Sequence, residues 1–184
     1  MSTELRTVEH RSRRLLIPLP TPYDEAVESY ERLVPVVDRA RFGQLATWDA
    51  VIALAQINAP LGFMIYWRTD VTATMAGSQS GWKCMEYLMG NHTIAERMFR
   101  HDPSTMLHAP LRTVIYADAD GDTWLAVDQP SALFASYDNQ AIAEVGHYLD
   151  ELLAGLLRAL KAPVPSELLS QVRSATRPPR SATR

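Results

Sequence analysis

Residues 111–127 read LRTVIYADADGDTWLAV, and this stretch decides the fold. Branched or aromatic side chains alternate with small or polar ones on both sides of Asp118 to Asp122, and Gly121 stands in the connecting loop, where a tight turn favours a residue without a Cβ. Two antiparallel strands joined by a hairpin loop satisfy this pattern. Immediately downstream, Pro130 to Tyr137 is a short helix candidate. Gln140 to Leu160 predicts a long helix, because Ile142, Val145, Leu149, Leu152, Leu153, Leu156, Leu157 and Leu160 form a broad apolar stripe that must pack against something.

Upstream, strands and helices alternate. Arg14 to Leu19 is a branched apolar run that ends as a strand at Pro18. Thr21-Pro22-Tyr23-Asp24 places a capping hydroxyl, a proline and an acid at a helix start, and Ala26, Tyr30, Leu33 and Val37 carry that helix to about Val37 unless Pro35 ends it earlier. Phe42 to Leu45 predicts a short strand. Thr47 caps a helix through Ala55 or Ile57, which Asn58 to Gly62 breaks. Phe63 to Thr69 (FMIYWRT) is too short and too aromatic to prefer a helix, and Val71 to Met75 continues in strand-like residues. Gly77 to Gly81 turns, and Trp82 to Met89 is a further strand expected to pair with the preceding one. Thr93-Ile94-Ala95-Glu96 has the capping-box pattern of a helix that turns Ile94, Ala95, Met98 and Phe99 to the core and closes at Asp102-Pro103.

Taken together, the elements predict an α+β fold, an antiparallel sheet with helices packed on one face and a long C-terminal helix. The expected organisation is one domain over residues 1–162 and a disordered basic tail over 163–184, where prolines and serines take over and Ser174-Ala175-Thr176-Arg177 repeats as Ser181-Ala182-Thr183-Arg184. With 184 residues and 47% hydrophobic side chains the chain can bury a core without staples, and its single cysteine, Cys84, excludes a disulfide scaffold. No run approaches the roughly 18 apolar residues of a membrane span. A net charge of −3 gives no bulk attraction to nucleic acid. Neither membrane nor nucleic acid is expected as a partner, and the cytoplasm is the expected compartment.

The segment from Tyr23 through Asp128 resembles the domain of unknown function 302 family (DUF302). The likeness is carried by Gly90-Asn91 after a strand, Ala109-Pro110-Leu111 entering the next strand, and Asp128-Gln129-Pro130 at a strand end. Two features depart from the family pattern: His92 stands where members usually have proline, and the connection from Gly62 to Trp82 is longer. The resemblance implies a TATA-binding-protein-like class of α+β fold and self-association, and it supplies no catalytic residues.

Reactive side chains concentrate between Trp82 and His108. On a strand, Lys83, Met85, Tyr87 and Met89 share one face while Cys84, Glu86 and Leu88 share the other, which suits a pocket of apolar surface with a few orienting polar groups. The sequence therefore predicts a small-molecule-binding module beside the sheet with Trp67, Arg68, Lys83, Tyr87 and His92 as ligand-binding candidates. Arg68 suits a carboxylate and Trp67 a planar ring. One alternative is a cofactor-free enzyme with His92 or Glu86 as general base and Tyr87 or Lys83 as acid. Another is haem or copper held by the His, Met and Cys residues between Cys84 and His108, although no ligand spacing supports a metal. A homodimer is expected from the resemblance and from the far end of the long helix, where Leu156, Leu157 and Leu160 extend beyond a short sheet.

Overall fold

A computed structural model of the chain describes residues 4–78 and 80–169. The predicted hairpin forms from strand β4 (Leu111–Ala117) and strand β5 (Thr123–Asp128), with Gly121 at φ +87° in the loop and the Asp118 carboxylate accepting from the backbone N–H groups of Asp120 and Asp122 and from the Trp124 indole. Strand β1 (Arg14–Pro18) pairs with β5. Strand β3 (Cys84–Gly90) pairs with β4, and strand β2 (Met64–Asp70) pairs with β3, giving the antiparallel order β1-β5-β4-β3-β2.

Alternation along the strands sends Leu15, Ile17, Tyr87, Met89, Leu111, Ile115, Leu125 and Val127 to one face, where all are buried. Helices α1 (Tyr23–Leu33), α5 (His92–Phe99), α6 (Pro130–Phe134) and α7 (Gln140–Ala159) contribute buried residues to the same core. The opposite face carries Leu16, Leu88, Val114, Tyr116, Trp124 and Ala126, and among the described residues only the short turn Val71–Thr74 approaches it, at the Tyr116 end, so the layers are those expected of an α+β sheet covered on one side. A smaller core of Val37, Ala55, Ala59 and Met64 joins helices α2 (Arg39–Phe42) and α3 (Trp48–Asn58) to the β2 edge.

Several local expectations are overturned. Phe42 to Leu45 is not a strand: Asp38 accepts from the Arg41 N–H and caps α2, which ends at Phe42. Val71 to Met75 is not extended either. The Asp70 carboxylate at the end of β2 accepts from the Ala73 N–H and turns Val71–Thr74 into the helical turn α4, against the strand preference of the branched residues. At α5 the cap is Asn91, two residues ahead of Thr93, and Phe99 is half exposed, not buried. Pro22, without a side-chain bond, takes the position expected of Thr21.

Helix α7 disposes of its stripe inside the monomer. Leu156 and Leu157 are fully buried and Leu160 nearly so, hence the end of the stripe is core and offers no partner surface. Packing continues to the 3-10 turn Ser166–Leu169, whose Leu168 is buried, and the rest of the expected tail lies outside the described residues. Within this core Asp150 is 2% exposed, yet its oxygens accept from the Ser131 N–H (2.9 Å), the Ser131 hydroxyl (2.6 Å) and the Gln129 amide (2.8 Å). This network ties α6 to α7, the pairing a buried carboxylate requires.

Candidate functional site

A recess lined by His92 lies where β2, β3 and β4 meet beneath α5. Its polar corner is built by a β-bulge: Ile65 faces Met89 and Trp67 faces Leu88, which leaves Tyr66 as the extra residue of β2. Bulges re-aim side chains, and here the phenol reaches the first residue of α5. The Tyr66 oxygen accepts from the His92 backbone N–H at 3.0 Å and lies 2.6 Å from His92 Nδ1. Since that oxygen already serves one donor, its own hydrogen is best satisfied by Nδ1, which places the imidazole proton on Nε2. Burial pulls the His92 imidazole below its ordinary value, keeping it neutral, and burial raises the Tyr66 hydroxyl, so the pair persists as a neutral hydrogen bond at pH 7. The Phe42 ring stands perpendicular to the imidazole at 4.5 Å, with Trp48 at 6.4 Å.

Asn91 is spent on structure. Its oxygen accepts from the Thr93 N–H and hydroxyl, and its amide donates to the Gly62 carbonyl at 3.2 Å. Behind this corner opens a cavity of about 200 Å³ bounded by Phe63, Met98, Met106, Leu111, Phe134 and Leu149. Strands β2, β3 and β4 and helices α5, α6 and α7 all supply walls, so the cavity is held by the packing of the fold itself. A larger hollow of about 670 Å³ lies at the opposite end of β3, between α4 with its following loop and Tyr116. Its walls are mostly the exposed residues of one connection, Met75, Ala76, Ser78, Ser80 and Trp82 among them.

The five residues singled out by the sequence separate. His92 lines the 200 Å³ cavity and Lys83 lines the larger hollow, where its ammonium pairs with Asp24 at 2.9 Å. Arg68 and Tyr87 meet on the helix side of the sheet. Both bond Glu31, Arg68 through an ion pair and the Tyr87 hydroxyl at 3.1 Å, while burial and then the Glu31 charge push the Tyr87 pKa far up. Trp67 is on the uncovered face, 46% exposed. Glu86 is on that face too, paired with Arg112 at 2.9 Å.

The His, Met and Cys series is equally dispersed. Cys84 sits at the far end of β3 from His92, about 20 Å away at 3.4 Å per strand residue, with burial pushing its thiol up. His101 is exposed, and His108 packs edge-on to His10. Among the described residues no three His, Cys, Asp or Glu side chains gather closely enough to hold a metal ion. Nor is any described helix long and apolar enough to cross a membrane.

Sequence reading passed over Tyr66 as a site residue and the apolar walls as anything but core. The available signal was the run Tyr66-Trp67-Arg68, but alternation alone puts Tyr66 on the outer face, and only the bulge redirects it.

Comparison with known proteins matches residues 42–162 to the family model described as Domain of unknown function DUF302. The match begins later than the resemblance read from the sequence, leaving out β1 and α1, and it extends through α7. Among solved structures, the chain is similar to an uncharacterized conserved DUF302 protein from Bacillus stearothermophilus. The TM-score is 0.59 at 18% identity, over 80% of this chain and 97% of that one, a likeness of fold. Comparison with curated proteins finds no match.

Proposed function

The chain belongs to the DUF302 family, and on that footing we propose that it is a small-molecule-binding module whose site is the cavity beneath α5. The observation that supports this reading is the cavity itself: about 200 Å³ of largely apolar space cornered by the Tyr66–His92 pair. Pockets that recognise small molecules have this constitution, an apolar body with few polar groups. Calorimetric titration with toluene tests it. Binding should be measurable in the parent and lost in Ala95→Leu, which grows a side chain from the cavity wall while keeping the helix. A parent that gives no saturable heat change, or a variant that binds equally well, overturns the assignment.

Binding is favoured over catalysis by how the candidate bases are engaged. His92 Nδ1 is occupied by Tyr66, and Glu86 is paired with Arg112 on the other side of the sheet from the cavity.

A second reading concerns assembly. The uncovered sheet face is the exposed apolar surface from which a homodimer can be built, in place of the leucines of α7. It sets Leu16, Ala126 and Val114 in one cross-strand row beside a row of Arg14, Asp128 and Arg112, so a two-fold-related copy can lay apolar row against apolar row.

A further inference from the structure

The cavity beneath α5 is selective in what it leaves unsatisfied. Among the described residues, no Lys, Arg, Asp or Glu lines it. Its polar side chains are already committed, Asn91 to Thr93 and Gly62, and the Tyr66 hydroxyl to His92 on both counts. Two polar hydrogens are left over among them, the second hydrogen of the Asn91 amide and His92 Nε2–H, and the latter is assigned through the tautomer that the Tyr66 bond favours. An ionised carboxylate placed here would be buried without a cation, a cost of several kcal/mol.

Size and surface narrow the occupant further. An apolar cavity of about 150 Å³ accommodates benzene. The 200 Å³ found here exceeds that by the room for a substituent of a few heavy atoms. Phe63 and Phe134 offer ring faces and edges, and Met98 and Met106 offer thioethers, groups that pair favourably with an aromatic guest. Resting on the binding reading above, we infer that this cavity takes a neutral, single-ring aromatic molecule bearing one hydrogen-bond-accepting oxygen, with the ring among Phe63, Met98 and Phe134 and the oxygen on His92 Nε2–H.

Three probes of similar size read out the claim on the full chain: ethylbenzene, acetophenone and benzoate, titrated at pH 7.5. Acetophenone should bind about tenfold more tightly than ethylbenzene, the worth of one hydrogen bond, and benzoate at least tenfold more weakly than acetophenone. In His92→Leu the advantage of acetophenone over ethylbenzene should vanish while ethylbenzene still binds. Tyr66→Phe, which frees the imidazole without removing it, should shrink the advantage and serves as the folded control if His92→Leu does not fold. Equal affinity for acetophenone and ethylbenzene in the parent, or a preference for benzoate, overturns the ligand class while leaving the binding site in place. Failure of all three probes to bind overturns the site together with the class.

Discussion

The His92 imidazole is held at one nitrogen and open at the other. Burial lowers its pKa below 6.5, while the unfolded chain takes up its proton near that value. The sign follows: His92 contributes stability that is fully present above pH 6.5 and is lost as the pH falls through the lower folded-state value. The same proton ends acceptance at Nδ1, so acidification leaves the Tyr66 hydroxyl hydrogen without its acceptor and loosens the polar corner of the cavity. An NMR titration of the ring should give a pKa below 6.5 in the parent and a higher one in Tyr66→Phe, where neutral imidazole loses its donor. A parent ring titrating at or above 6.5 would show that the imidazole is solvated and the corner open.

Helix α7 shows how closely the elements are fitted. A Cβ built on Gly146 would meet Ser131 Cα at 3.0 Å and Phe134 Cβ at 3.1 Å, both parts of α6, whereas at Gly155 no atom of the described residues lies within 4 Å. Both positions are mid-helix, where alanine is intrinsically favoured by up to about 1 kcal/mol. Gly155→Ala should therefore raise stability by as much as about 1 kcal/mol. Gly146→Ala should lower it by about 1–3 kcal/mol, since overpacking exceeds the helix gain. Denaturant unfolding of the pair checks this, and similar effects at the two sites would contradict the α6–α7 packing. The long elements were legible in the sequence for a simple reason: α7, β4 and β5 each repeat one period over enough residues to average out exceptions. The short ones were not. In α2 and α4, four residues each, a single aspartate cap outweighs the preferences of the residues that follow, and Val71-Thr72 in particular reads as strand until Asp70 bonds the Ala73 N–H.

At the scale of the molecule, one side of the sheet is committed to the core and the other to solvent or a partner. If the uncovered face is a dimer interface, sedimentation should give a particle of twice 20.6 kDa, and Val114→Lys should return a folded monomer with unchanged circular dichroism. A parent that stays monomeric at millimolar concentration contradicts the dimer. The candidate site was only partly legible. His92 stood out because imidazole is rare and ionisable, but Phe63, Met98 and Leu111 have the same sequence signature whether they fill a core or wall a cavity. The difference lies in about 200 Å³ that no periodicity encodes. Methionines offer the most direct test of where a small molecule binds, since Met98 and Met106 border that cavity while Met75 borders the larger hollow at the other end of β3. In protein carrying 13C-labelled methionine methyls, bound toluene should give intermolecular nuclear Overhauser effects to Met98 and Met106 and none to Met75. Contacts to Met75 alone, or to no methionine, would contradict the assignment of the cavity beneath α5.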